Sequence, residues 1–192
     1  MLNASESWRK NWLKQRIQLE PYHPHVLILE NAVWKFCQDF AQTSSRGRRM
    51  VIYGKNGNGK SKTVRAIKRW VQDRAIDLPL VMHDDNASLV TCKLVNWADQ
   101  VDYFKSGDWD VQDLIEADLL ILDDVGAEHD PSKSGAAKLY LILERREWKW
   151  TIITTNLPPA SWNSKLELRL ADRLFRNCEH VDLSELPSYS AQ

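Results

Sequence analysis

The chain has 192 residues, with 26 lysines and arginines balanced by 26 aspartates and glutamates, so its formal net charge is zero. That length suits one domain with a sizeable core, since roughly 70% of the unfolded surface can be buried at this size. The neutral balance excludes a global field for nucleic acid or anionic membrane; with no membrane-length apolar run and no secretory leader in sight, a cytoplasmic protein without membrane contact is expected.

Taken in order, residues 1–24 form a polar, basic arm with Arg9, Lys10, Lys14 and Arg16. Trp8, Trp12, Leu13 and Ile17 fall near helical spacing, so a short amphipathic helix is expected. It is either a docking arm for a partner or DNA, or a tail packed on its own domain. Pro21 and Pro24 end it. His23 and His25 flank Pro24 and read as a turn rather than a metal pair, with no Cys or third His beside them. Val26–Ala41 reads as a helix with Leu29, Val33, Phe36, Cys37 and Phe40 on one face, and 43–49 as a basic loop. Cys37, Cys92 and Cys178 are too scattered for a disulfide framework or a metal knuckle and read as reduced packing residues.

The apolar run Met50-Val51-Ile52-Tyr53 leads into Gly54-Lys55-Asn56-Gly57-Asn58-Gly59-Lys60-Ser61, which spells G-x-x-x-x-G-K-S, and a helix follows from Lys62 to Arg74. Strand, glycine loop and helix are the context a phosphate-binding P-loop needs. Glycines let successive backbone N–H groups converge on phosphate oxygens, and the helix adds its positive dipole end. Lys60 is placed for the β- and γ-phosphates of ATP, and the Ser61 hydroxyl for Mg²⁺. The neighbouring Lys62 is counted with the nucleotide-binding set. A chance match to the pattern occurs in roughly one chain in a hundred of this length, and here both flanks fit as well.

Beyond the loop, Leu80–Met82 reads as a strand, Asn96–Phe104 and Val111–Ala117 as helices, and Leu119–Leu122 as a strand buried on both faces. That strand ends in Asp123-Asp124. A hard cation takes oxygen ligands, so Asp123 suits Mg²⁺, and Asp124 is placed to orient and deprotonate an attacking water. Ala136–Trp148 follows as a helix. Thr151–Thr155 is β-branched throughout and reads as another buried strand. It ends at Asn156, an amide for the γ-phosphate or the lytic water, or else a cap on the strand exit. Pro158-Pro159 opens a loop, Leu166–Phe175 is an arginine-rich helix, and His180–Leu183 is a last strand. Arg169 and Arg173 share one face of that helix. Such a pair can stabilise transition-state charge at a neighbouring subunit's phosphates; the alternative is a surface salt-bridge face with Glu167 and Asp172.

Strands alternating with helices predict a three-layer α/β/α sandwich around a mainly parallel five-stranded sheet, with ligands at the carboxyl ends of the strands. The P-loop, Leu-Leu-Ile-Leu-Asp-Asp-Val-Gly-Ala-Glu over 119–128, Ile-Thr-Thr-Asn over 153–156 and Arg-Leu-Ala-Asp-Arg-Leu over 169–174 together resemble the AAA+ ATPases of the DnaC/IstB group, bacterial and phage helicase loaders and transposase helpers. The resemblance covers about 25–183 and implies Walker A at 54–61, Walker B at 119–124, sensor 1 at Asn156 and an arginine finger at Arg173 with Arg169 beside it. It also implies ATP-driven assembly into head-to-tail arcs or filaments, and contact with single-stranded DNA. This chain has Asp124 where many AAA+ proteins carry Glu, which makes Glu128 a second candidate base. From Arg173 to Gln192 the chain is too short for the helical lid, so a nucleotide site open on one side is expected. The arm 1–24 is shorter than the helicase-binding domain of typical loaders. The expected organisation is arm 1–24, core 25–184 and tail 185–192. The expected activity is ATP hydrolysis in DNA replication, as a helicase loader or remodeller. Alternatives are a transposase helper, a small-molecule P-loop kinase or a nucleotide switch that does not hydrolyse.

Overall fold

The computed structural model describes residues 32–33, 35–40, 46–73, 81–83, 86–88, 90–105, 110–130, 132–166, 168–176, 178–186 and 188. The basic arm, His23, His25 and the loop 43–45 lie outside these residues. Strand β1 (Arg49–Tyr53) runs into the glycine loop and helix α1 (Lys60–Asp73). A small pair, β2 (Val81–His83) and β3 (Asn86–Ser88), precedes β4 (Cys92–Asn96), α2 (Trp97–Lys105) and α3 (Gln112–Glu116). Then come β5 (Leu119–Val125), α4 (Ser134–Arg145), β6 (Trp150–Thr155), α5 (Pro159–Lys165), α6 (Leu168–Phe175) and β7 (Cys178–Asp182).

Five of the strands form one sheet in the order β4-β5-β6-β1-β7, and every pairing in it is parallel. Alternate residues of a strand point to opposite faces, and the two cores follow that rule. On one face Met50, Ile52, Ile121, Ile152 and Val181 meet Val64, Ile67 and Trp70 of α1 together with Phe36 and Phe40. On the other, Val51, Leu120, Leu122 and Ile153 meet residues of α2, α4 and α6, among them Val101, Leu143 and Leu174. All six residues of β6 are buried, as the β-branched run required. The expected three-layer sandwich is the observed one.

One expected strand is misplaced. Residues 81–83 pair antiparallel with 86–88 outside the main sheet, and the strand beside β5 is Cys92–Asn96 instead. That strand sits at the sheet edge with Lys93 exposed and its other residues half-buried, so it carries no continuous apolar run. Both faces are covered, with Cys92 and Leu94 against one core and Val95 against the other, but at the sheet edge Lys93 still reaches solvent, which interrupts the signature of a buried strand. The stretch after Pro158 is helix α5, not loop; Pro159 sits at its first turn, where a missing N–H costs nothing.

Arg146 shows how a charge can serve as mortar. It is 0% exposed. Its Nη1 donates to the carbonyls of Leu114, Ile115 and Ala117 at 2.9, 2.9 and 2.6 Å, its Nη2 to Trp150 O at 2.6 Å, and its Nε to Thr151 Oγ1 at 3.1 Å. Burial lowers its pKa, while the full set of acceptors keeps the charge tolerable. The guanidinium thereby satisfies carbonyls at the end of α3 and fastens them to the start of β6.

Candidate nucleotide site

The carboxyl ends of β1, β5 and β6 lie side by side in the sheet, and each delivers a different chemistry. After β1, the loop turns on Gly54, Gly57 and Gly59, with φ of 148°, 79° and 89°. At Gly54 a Cβ would stand 2.5 Å from Asn58 Nδ2 and 2.9 Å from the backbone of Leu183, so glycine is required there by space as well as conformation. Asn58 is buried, and its Nδ2 donates to Leu183 O at 2.7 Å, which anchors the loop to the residue after β7. The Thr63 hydroxyl and N–H both donate to Gly59 O at 2.9 Å, fixing the entry to α1. Lys55, Asn56 and Gly57 are exposed at the tip.

Lys60 is 6% exposed. Its Nζ donates to Gly54 O and Lys55 O at 2.8 Å each and to Asn58 Oδ1 at 3.3 Å. Burial pulls its pKa down, and the nearby carboxylates of Asp124 and Asp123 push it back up. The ammonium is thus folded over the loop's own carbonyls, a set of contacts it can exchange for phosphate oxygens.

Asp123 is buried, and its Oδ1 accepts from Ser61 Oγ at 3.1 Å and Thr154 Oγ1 at 2.5 Å. Ser61 Oγ and Asp123 Oδ1 are hard oxygens already converging, so the donor set fits Mg²⁺. Asp124 has φ 64°, an uncommon left-handed conformation that Asp adopts more readily than most residues. It sits where the β5–β6 register is irregular, between Leu122 and Val125. Three bonds hold it: its N–H donates to Thr154 Oγ1 at 2.9 Å, its Oδ1 accepts from Asn156 Nδ2 at 2.7 Å, and its carbonyl accepts from the Ala127 N–H at 3.4 Å. Thr154 therefore serves both aspartates at once. The sequence shows Thr154 only as part of a β-branched strand; its place opposite two acids depends on sheet register. Glu128 turns elsewhere. Its Oε2 accepts the Gly126 N–H at 2.6 Å, burial raises its pKa, and it lines a separate cavity of about 390 Å³ with Lys133, Leu157, Lys165 and Leu170.

Arg173 is not gathered with these groups. Its Nη2 donates to Glu144 Oε1 at 3.2 Å, and its guanidinium carbon lies 5.7 Å from the centre of the Tyr140 ring. Glu144 is in the last turn of α4, which starts from the carboxyl end of β5, so the pair sits toward the amino end of the sheet. The Arg173 carbonyl also accepts from Nη1 of Arg49, the first residue of β1. At about 3.3 Å per strand residue, roughly 16 Å separates Arg49 from the start of the loop at Gly54. Arg169 is exposed on the same helix. Lys62 is exposed on α1.

The cysteines are free, and burial raises all three thiols, those of Cys92 and Cys178 to about 12. Among the described residues no cluster of His, Cys, Asp and Glu forms a separate metal site, and no helix is long and apolar enough to cross a membrane.

A three-layer α/β/α sandwich with this loop after β1, which lies between β6 and β7 in an all-parallel sheet, has the architecture of a P-loop nucleotide-binding protein. The family model described as IstB-like ATP binding protein matches residues 45–190, and the chain belongs to that family, within the DnaC/IstB group of AAA+ proteins. The chain is similar in fold to the DnaC helicase loader, with TM-score 0.60 and 18% identity over 85% of this chain and 94% of that one. DnaI gives TM-score 0.59 and 16% identity over 83% of each chain. A replication initiator DnaA bound to AMPPCP and single-stranded DNA gives TM-score 0.57 and 17% identity over 78% of this chain and 45% of that one. No curated protein matches the chain in sequence.

Proposed function

We propose that this protein binds ATP with Mg²⁺, hydrolyses it slowly until assembled head-to-tail, and uses the assembled state to load or remodel a replicative helicase on single-stranded DNA. The observation that carries this reading is a divided site. Lys60, Ser61, Asp123, Asp124 and Asn156 converge at one end of the sheet, whereas Arg173 stands at the other. Glycine-loop N–H groups and Lys60 hold the β- and γ-phosphates. Ser61 and Asp123 hold Mg²⁺, which when bound screens the phosphate charge. Asp124, fixed by Asn156 and Thr154, orients the attacking water and accepts its proton. Arg173 acts on the γ-phosphate of the next subunit, with Arg169 beside it. The arm 1–24 and tail 185–192 flank a core at 25–184, in a cytoplasmic protein.

The fold likeness to DnaC, DnaI and DnaA supports the replication context, and the IstB-like family match favours a second reading as a transposase helper. Turnover per subunit is expected to rise with protein concentration and to rise further with single-stranded DNA plus a replicative helicase. Stimulation by a transposase alone selects the second reading. Turnover that is flat with concentration and needs a small phosphate acceptor overturns both in favour of a kinase.

The base assignment is tested separately. Asp124→Asn is expected to keep ATP affinity and slow hydrolysis by about 10²–10⁴-fold, the usual worth of a positioned base. Glu128→Gln should turn over close to wild type, because its carboxylate is committed to Gly126. The reverse pattern in steady-state phosphate release would make Glu128 the base.

A further inference from the structure

Arg49 begins β1, and its side chain is 5% exposed. Strand alternation puts it on the same face as Val51, against α4 and α6. Its Nη2 donates to Leu143 O at 3.0 Å and its Nη1 donates to Arg173 O. A guanidinium is a costly thing to bury where Leu143 and Leu174 would accept an apolar neighbour. Burial lowers its pKa, and the like charge of Arg173 lowers it further; its Nε is buried without a hydrogen bond. What it holds is specific. Leu143 precedes Glu144, the carboxylate that binds the Arg173 side chain, and the second carbonyl belongs to Arg173 itself. One rigid fork thus fixes the backbone on both sides of the Arg173–Glu144 pair and ties it to the strand that ends in the P-loop.

We infer that Arg49 is a positioning residue for Arg173, holding the last turn of α6 so that the finger meets the neighbouring subunit's triphosphate. Glu144 and Tyr140 keep the guanidinium oriented until that neighbour arrives. The inference rests on the assembly proposed above. Simple capping is the competing explanation, since both carbonyls lie in last helical turns where such groups lack intrahelical partners.

The test uses the full chain carrying Arg49→Met, which keeps bulk and removes every donor, and Arg49→Lys, which keeps the charge but not the fork. Melting temperature, ATP affinity and turnover are measured for each variant alone and in equimolar mixtures with Lys60→Ala or Arg173→Ala. Arg49→Met is expected to bind ATP as wild type and to lose up to about a hundredfold in turnover, the scale of a 1 Å misplacement, with Arg49→Lys in between. Lys60→Ala, which lacks a working site but offers a sound finger, should rescue it. Arg173→Ala, which offers a site and no finger, should not. Rescue by both partners, rescue by neither, unchanged turnover or lost ATP binding each overturns the assignment. If Arg49→Met does not fold, Arg49→Lys carries the same comparison. A Lys60→Ala and Arg173→Ala mixture that stays inactive overturns the assembly itself and this inference with it.

Discussion

Arg173→Ala will bind ATP as the wild type does and hydrolyse it about a thousandfold more slowly, the scale of an arginine finger. Binding is spared because the Arg173 side chain lies with Glu144 and Tyr140, away from Lys60 and the glycine loop. The fold is largely spared because the Arg173–Glu144 pair is only partly covered, with Arg173 17% and Glu144 45% exposed, and ion pairs near the surface contribute about 1 kcal/mol or less. A finger and a loop on different surfaces make the contact heterologous, and heterologous contacts build rings or open filaments rather than two-fold dimers. Mixing Arg173→Ala with Lys60→Ala should therefore recover activity, because each subunit supplies the half the other lacks. Phosphate release measured against concentration and in the mixture decides the matter. Flat turnover and a dead mixture mean that each site works alone.

Lys60→Ala will abolish ATP binding over ordinary nucleotide concentrations. Removing one partner of a desolvated charge pair costs about 2–5 kcal/mol, which raises Kd by roughly thirtyfold to several thousandfold. Lys60 is the loop cation whose ammonium already sits among the carbonyls of Gly54 and Lys55. Its loss also leaves the buried Gly54 carbonyl and Asn58 Oδ1 without this donor, at about 1–3 kcal/mol for a buried acceptor, so a modest fall in melting temperature is expected alongside the loss of binding. Calorimetric titration with ATP and Mg²⁺ is the measurement. Wild-type affinity in this variant would sink the P-loop assignment.

Local order along the chain determined much of this molecule. The G-x-x-x-x-G-K-S run works through backbone conformation and nearest neighbours, so its glycine turns and the following helix are encoded where they stand. Leu119–Leu122 followed by Asp123-Asp124, and the β-branched run ending at Asn156, were legible for a related reason. A strand buried on both faces must be apolar throughout, and polarity at its end marks where it leaves the core. Those three segments alone fix a parallel α/β sheet with carboxylates and an amide beside the glycine loop. Tertiary structure decided the rest. The edge strand Cys92–Asn96 was invisible because its apolar residues are interrupted by Lys93 and Asn96, which a strand at the sheet edge tolerates. Thr154 became the shared partner of Asp123 and Asp124 only through the register of β5 against β6. Asn58 found Leu183, and Arg49 and Arg146 found helix-end carbonyls, across separations no local pattern spans. A charged side chain reads as surface in sequence. Only the folded chain shows which carbonyls each of these arginines reaches, because the partners lie on separate elements that sequence order does not bring together.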